Sequence, residues 1–329
     1  MTDGPRADVM PAREVPLGGL RDMNVQRALP QRALPTVGAW CFLDRFGPQR
    51  VTMRVEPHPH MGLQTVTWPL TGEVRHRDSL GSDVVLRAGQ LNLMTAGAGV
   101  AHSEYSLGDG DTELDALQLW IALPEQSRHG DRGFERHETL PTVTLPAREG
   151  ADAVATVVMG SLAGVTSPAT THTPLVGAQI RVAPGSRVGV PLDAAWEHAV
   201  VVLEGELDVH ASSTPEGEAT RPGHNDLLYL GTGRDGIEVS SPDGALLFLL
   251  GGEPLTDELV MWWNFVGRSH EEIAQAWHDW QGRSARFGDV AGHGDVRIPA
   301  PPMPAVRLTP RRRRDQGKRT VSPTARASP

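Results

Sequence analysis

Lysine is almost missing from this chain. The only one in 329 residues is Lys318, close to the end, so the body has no amine for a Schiff base or for the phosphate contact of a Walker A loop. Pyridoxal-phosphate chemistry and class I aldol cleavage are therefore excluded. Cysteine is as scarce: Cys41 stands alone, which rules out intrachain disulfides, cysteine zinc sites and protein-ligated iron–sulfur clusters. Any metal must be held by His, Asp or Glu, and a reducing, cytoplasmic location is expected. No run of about 18 apolar residues occurs, and the first residues carry acids and no apolar leader core, so neither membrane spanning nor export is expected.

Turn formers and acid are abundant. With 36 Gly, 27 Pro and no collagen-like period, against 39% hydrophobic and 22% charged residues, the composition indicates many short elements joined by turns. The net charge is −9, yet from Arg307 onward eight basic residues face only Asp315, so that segment is +7 and the remainder −16. An acidic body argues against a nucleic-acid-binding surface on the fold itself.

Residues 1 to about 35 include a tandem RALP-Q-RALP and read as an extended arm. From Val37 to about Pro124, short apolar or β-branched runs alternate with turn signals such as Thr71-Gly72-Glu73 and Ala88-Gly89, the spacing of a barrel or sandwich. Leu117, Leu119, Ile121 and Leu123 alternate with Ala116, Gln118, Trp120 and Ala122, which predicts a strand with two differently used faces. Residues 125–150 read as a polar connector, and a second set of strands is expected from about Thr156 to Gly252. One helix is predicted near the end, with Ser269 and Glu272 as a capping box, Ile273, Trp277 and Trp280 on one face, and Gly282 as the stop. Beyond about Gly288 the Pro-rich stretch and Arg311–Arg314 read as a disordered, solvated tail.

An internal repeat gives the architecture. Leu70-Thr71-Gly72-Glu73-Val74 is echoed by Leu203-Glu204-Gly205-Glu206-Leu207, and Arg87-Ala88-Gly89 by Arg221-Pro222-Gly223. Two copies of one β-unit, offset by about 133 residues, predict two similar barrels in one chain.

His58-Pro59-His60 is weak evidence alone, because a chain with 13 histidines produces such pairs by chance. On an extended strand, however, residues i and i+2 share a face, and His102-Ser103-Glu104 supplies a second such pair after the small-residue turn Gly97–Ala101. Returning strands could bring three imidazoles and a carboxylate around one point. Such a set, without sulfur, suits Fe(II), Mn(II), Ni(II), Cu(II) or Zn(II), and residue type does not choose among them. On an octahedral ion, four protein ligands leave two positions open.

These residues resemble a known family. His58-Pro59-His60-Met61-Gly62, His76-Arg77-Asp78-Ser79-Leu80-Gly81, Gln90 to Gly97, Ala101-His102-Ser103-Glu104 and Leu117-Gln118-Leu119-Trp120 are similar to the N-terminal half of pirins, a branch of the cupin superfamily, and the likeness covers roughly residues 13–285. The resemblance implies an all-β bicupin, two tandem cupin-type barrels with the C-terminal helix packed on the fold. Its expected divisions are a metal-binding domain with its arm at 1–135, a metal-free domain at 136–288 and a tail at 289–329. It also implies one metal, usually iron, on His58, His60, His102 and Glu104. Gln64 stands where other cupins place a ligand carboxylate. Carried across the repeat, the ligand positions fall near Pro191, Asp193, Gly236 and Glu238, and His198, His210 and His224 form no second HxH.

Several pirins oxidise quercetin, so an iron-dependent flavonol 2,3-dioxygenase acting on a small aromatic substrate and dioxygen is the function implied. Glu104 would then be a ligand and general base. Phe46, Met94 and Gln118 are the candidate pocket residues. The other class implied is an iron-binding, redox-responsive regulator that contacts a transcription factor or metabolic enzyme. A monomer is the family default.

Overall fold

The computed structural model describes residues 4–17, 23–211 and 219–313. Strands dominate it, and among the described residues the helix is His270–Gln281. In the first half, a large sheet runs in spatial order Gly133–His137, Leu91–Thr95, Leu63–Thr71, Thr112–Ala122, Trp40–Val51, Asn24–Leu29, Arg13–Pro16. A smaller sheet runs Arg54–His60, Val100–Ser106, Glu73–Asp78, Asp83–Arg87. The second half repeats this order with Leu227–Gly231, Glu197–Gly205, Ala245–Gly252, Leu175–Val182, Ala153–Leu162 in its large sheet and Ser186–Pro191, Gly236–Ser241, Asp208–His210 in its small one. The predicted duplication is thus present as two cupin-type barrels, with five strands of the large sheet and three of the small one recurring in the same order.

The two faces of Thr112–Ala122 separate two environments. Leu117, Leu119 and Ile121 join Trp40, Val66 and Trp68 in a core shared with Val201, Leu203, Phe248 and Leu250 of the second barrel, so the large sheets pack on each other. Trp40 is fully buried there and donates its indole N–H toward Val176 O and Gly251 O, both at 3.1 Å. Removing such a side chain costs about 3–5 kcal/mol. Arg45, also buried in this seam, makes a two-point ion pair with Asp115 (2.8 and 2.6 Å) and donates to Leu203 O and Asn225 Oδ1 of the other barrel.

The barrel interiors differ. The second is filled by aliphatic side chains, among them Val176, Ile180, Val188, Val200, Leu228 and Leu247. The first encloses buried polar groups instead, including His58, His60, Thr67, His76, His102 and Glu104.

The chain ends cross over. Pro5–Met10 pairs antiparallel with Leu227–Gly231 and extends the second barrel. Residues 259–313 cover the first barrel, where Val260, Phe265, Ile273, Trp280 and Phe287 pack with Met61 and Ala101. Gly62, which closes the HPHMG run, must be glycine: its φ is +72° and a Cβ would lie 2.0 Å from Val266 O of that cover. Two expectations need correction. The connector 125–150 contains strands, and a boundary at 135/136 falls inside Gly133–His137, so the crossing to the second barrel lies at 138–141. The tail expected from residue 289 is not free over 289–313: His293 and Ala300 are buried, Ile298 N donates to Pro57 O at 2.8 Å, and Trp277 Nε1 donates to Pro301 O at 2.8 Å. Residues 314–329 lie outside the described residues.

Candidate metal centre

The strand Arg54–His60 is the edge of the small sheet, and this is why Pro57 and Pro59, which lack an N–H, are tolerated in it. Its alternation sends His58 and His60 to one face. Val100–Ser106 pairs with it so that His102 stands opposite His58, while on the other side Glu104 stands opposite His76 of Glu73–Asp78. The imidazole centroids are 4.4 Å apart for His58–His102, 4.9 Å for His60–His102 and 5.0 Å for His58–His60. Two groups of potential ligands result, His58/His60/His102 and His76/His102/Glu104, each with donor atoms within 4.8 Å of one another and both passing through His102. All five residues are buried.

Hydrogen bonding sets the ring orientations. His58 Nδ1 lies 2.9 Å from Glu56 O; a carbonyl only accepts, so Nδ1 donates and Nε2 is the nitrogen that could ligate. A longer relay sets His102. Asp78 Oδ2 is 3.1 Å from His76 Nε2, which therefore donates; in the tautomer with a bare His76 Nδ1, that atom accepts from His102 Nδ1 at 3.3 Å. His102 Nε2 is buried and without a hydrogen-bond partner among the described residues, and the buried His60 ring is approached by the backbone of Asn264. Burial pushes Asp78 upward, but the hydrogen bonds from His76 and Ser82 outweigh it and hold the carboxyl below its usual range.

Burial, reinforced by the neighbouring imidazoles, keeps His60 and His102 well below the ordinary histidine range, hence neutral. Burial also lifts Glu104 above the usual carboxylate range, against the pull of His76 and a hydrogen bond from Thr67. The Thr67 hydroxyl is 3.0 Å from both Glu104 Oε1 and Gln118 Oε1, and its single proton can go to only one of these two acceptors at a time. A buried ring nitrogen whose lone pair has no partner costs about 1–3 kcal/mol, which a cation at that atom would offset. Buried imidazoles beside one carboxylate are the donor set of a divalent transition ion, so these residues fit one.

A cavity of about 440 Å³ opens over the cluster, with His58, His60, Glu104, Gln118 and Phe46 in its wall. Phe42 and Trp120 stack there at 4.0 Å and 13°, and Trp120 meets His60 edge-on at 5.2 Å. Of the expected pocket residues, Phe46 and Gln118 are in this wall and Met94 is not. Met94 shares the interior face with Thr65, its cross-strand partner, but is fully buried against Ala96, Val100 and Phe134. The opposite wall comes from Met261, Trp262, Trp263, Asn264 and Ile298 of the cover. These were not anticipated, since nothing local in them signals a distant cavity. His76 was also passed over as a site residue; its alternation with Asp78 on a strand was the available signal.

In the second barrel, strand register corrects the constant repeat offset. Pro191 opposite Gly236 matches His60 opposite Val100, and Gly189 opposite Glu238 matches His58 opposite His102. The counterparts of His58, His60 and His102 are therefore Gly189, Pro191 and Glu238, and none is an imidazole. Among the described residues, both ligand groups lie in the first barrel.

Known proteins match along the same division. A family model described as pirin matches residues 22–121, and one described as the pirin C-terminal cupin domain matches 177–288. A Pseudomonas aeruginosa protein with the provisional name quercetin 2,3-dioxygenase is 42% identical over 297 residues, 89% of each chain. A pirin-like protein of Caulobacter vibrioides is 32% identical over 303 residues, 89% of this chain and 98% of that one. The crystal structure of a quercetin 2,3-dioxygenase from Acinetobacter baumannii has a TM-score of 0.82 at 36% identity, covering 92% of this chain and 97% of its own.

Proposed function

Because the chain belongs to the pirin family, we propose that it is a mononuclear iron-dependent flavonol 2,3-dioxygenase. The supporting observation is that two adjoining ligand groups, His58/His60/His102 and His76/His102/Glu104, share His102 and that His58, His60 and Glu104 reach the wall of an aromatic-lined cavity of about 440 Å³, within the ~300–1,000 Å³ range of small-molecule sites. These four residues would hold one divalent ion, Fe(II) in this reading. When bound, it supplies Lewis acidity and open positions for substrate and dioxygen. The net reaction inserts both atoms of dioxygen into the flavonol, releases carbon monoxide and leaves a depside.

The residues divide the remaining work. The flat flavonol lies beside the Phe42–Trp120 stack, with Phe46 packing its edge. Glu104, whose burial raises its affinity for a proton, takes the proton of the flavonol 3-hydroxyl at a carboxylate oxygen. Thr67 holds Glu104 Oε1 at 3.0 Å, with Gln118 Oε1 at the same distance from its hydroxyl. Trp262 and Trp263 keep bulk water from the reacting face. We also place the protein in a reducing cytoplasm as a monomer; the lone Cys41 is buried, its thiol pushed up to about 12 by that burial, and suited to neither disulfide nor metal chemistry.

A redox-responsive regulator would need the same ligands but no ring-sized cavity, so the cavity favours the enzyme. The deciding experiment loads the protein with iron, verifies stoichiometry by elemental analysis and supplies quercetin in air. One carbon monoxide per depside is expected. Glu104→Gln should lose turnover far more than metal. Full iron loading with no product would overturn the enzymatic reading and leave the regulator.

A further inference from the structure

The outer half of the same cavity differs in chemistry from its floor. Arg13 of the strand Arg13–Pro16, Arg27 of Asn24–Leu29 and Arg311 of the C-terminal cover all line it. Arg27 is answered by Asp44, with two 2.7 Å contacts. Arg13 donates only to a carbonyl, Pro30 O at 2.7 Å, and Arg311 is held by its backbone N–H on Leu259 O at 3.3 Å. Neither has a carboxylate in salt-bridge contact among the described residues. Glu14 alternates away from Arg13 on its strand and hydrogen-bonds Asn24. Outward, a groove of about 600 Å³ continues between Arg13, Arg32, Arg311 and Arg312, and no acid is among the described residues lining it. Arg312 is satisfied by Glu258 at 2.9 Å; Arg32 has no such partner among the described residues. Guanidiniums without a carboxylate in ion-pair contact among the described residues thus gather from three separate segments at one mouth, with Asp44, already paired to Arg27, the nearby acid that also feels Arg13, on a protein whose net charge is −9.

We propose that this mouth is an oxyanion subsite, and that the preferred substrate is an aromatic compound bearing a carboxylate or sulfate at the end remote from the ion. The inference rests on the reading of the cavity as a flavonol site. Guanidinium forks bind planar or tetrahedral oxyanions through paired charge-assisted hydrogen bonds, and Arg13 and Arg311 line both the cavity and the groove and lie near enough to feel each other's charge. Like charges held together repel, and an anion between them relieves that repulsion. The patch also draws anions towards an otherwise acidic protein.

The test uses the full, metal-loaded chain without dioxygen, reading quenching of the cavity tryptophans by quercetin, a quercetin sulfate ester and a quercetin glucuronide, the last two with the 3-hydroxyl free. The charged ligands should bind about tenfold or more tightly than quercetin, with an advantage that shrinks as salt is raised. Arg13→Gln/Arg311→Gln should erase that advantage while leaving quercetin affinity within about twofold. Equal affinities, or a preference that survives the double variant, would overturn the proposal; the sulfate and glucuronide arms separate the two oxyanions. Protection of Arg13 and Arg311 from phenylglyoxal by inorganic sulfate is a readout independent of flavonols. Protection without flavonol binding would support the anion site and refute the flavonol reading; quercetin turnover with neither protection nor preference would do the reverse.

Discussion

Asp78→Asn replaces one oxygen by an amide nitrogen and should weaken metal binding at a residue that does not touch the ion. Asp78 Oδ1 accepts from the backbone N–H groups of Leu80 (2.9 Å) and Ser82 (3.0 Å), so the oxygen of the introduced amide must occupy that place. The amide NH2 then faces His76 Nε2, which in the native protein donates to Asp78 Oδ2. Two donors cannot share that contact, so His76 shifts its proton to Nδ1 and points it at His102 Nδ1. His102 must in turn carry its own proton on Nε2, the atom the ion requires. Loss of such an outer partner typically lowers metal affinity about 10–100-fold, or ~1.4–2.7 kcal/mol. The assay is competition with a chelator of known affinity, accompanied by nitrogen NMR of labelled histidine to read the His102 tautomer in the metal-free protein. Unchanged affinity together with a His102 proton still on Nδ1 would refute the relay.

His58→Ala or His102→Ala should abolish stoichiometric metal by elemental analysis, and full occupancy in either variant would contradict the ligand assignment. His198, buried in the second barrel, is lowered by that burial to about 4 from 6.5. It is neutral when folded, so its contribution is fully present above about pH 6.5 and is lost as pH falls towards 4, amounting to about 3 kcal/mol. Chemical denaturation of His198→Gln should show a correspondingly shallower loss between neutral and acid pH, and an unchanged slope would refute this. Asp115→Ala strands the Arg45 guanidinium in the seam between the barrels and should cost about 3–5 kcal/mol by urea unfolding, whereas a joint apolar replacement of both residues should cost much less.

The parts of this protein governed by local rules were readable in its sequence. Period-2 alternation placed His58 and His60 on one face and gave Thr112–Ala122 its two environments, and the repeat anticipated two barrels. The helix begins where the capping residue stands: Ser269 Oγ accepts from Glu272 N at 3.2 Å, although the Glu272 carboxylate reaches Arg268 N and not the cap. Long-range pairing was out of reach. The far wall of the cavity comes from residues some 200 positions from His60, and Met94 has the right parity but the wrong neighbours. The segment 289–313 looked disordered because prolines and arginines build no periodic pattern. Its order comes instead from single contacts onto preformed surfaces, such as Arg297 lying 4.5 Å over the Trp280 ring and the Trp280 indole donating to Ile298 O at 2.9 Å.

The crossing of the two chain ends has a consequence for how this duplication can be taken apart. A cut at 138–141 would not release two working modules. The N-terminal fragment would surrender the wall that shelters its imidazoles, while the C-terminal fragment would expose Leu227–Gly231 as a bare edge ready to zip onto a neighbour. Each repeat has become the other's missing part, so expressing the halves together should recover far more soluble material than expressing either by itself.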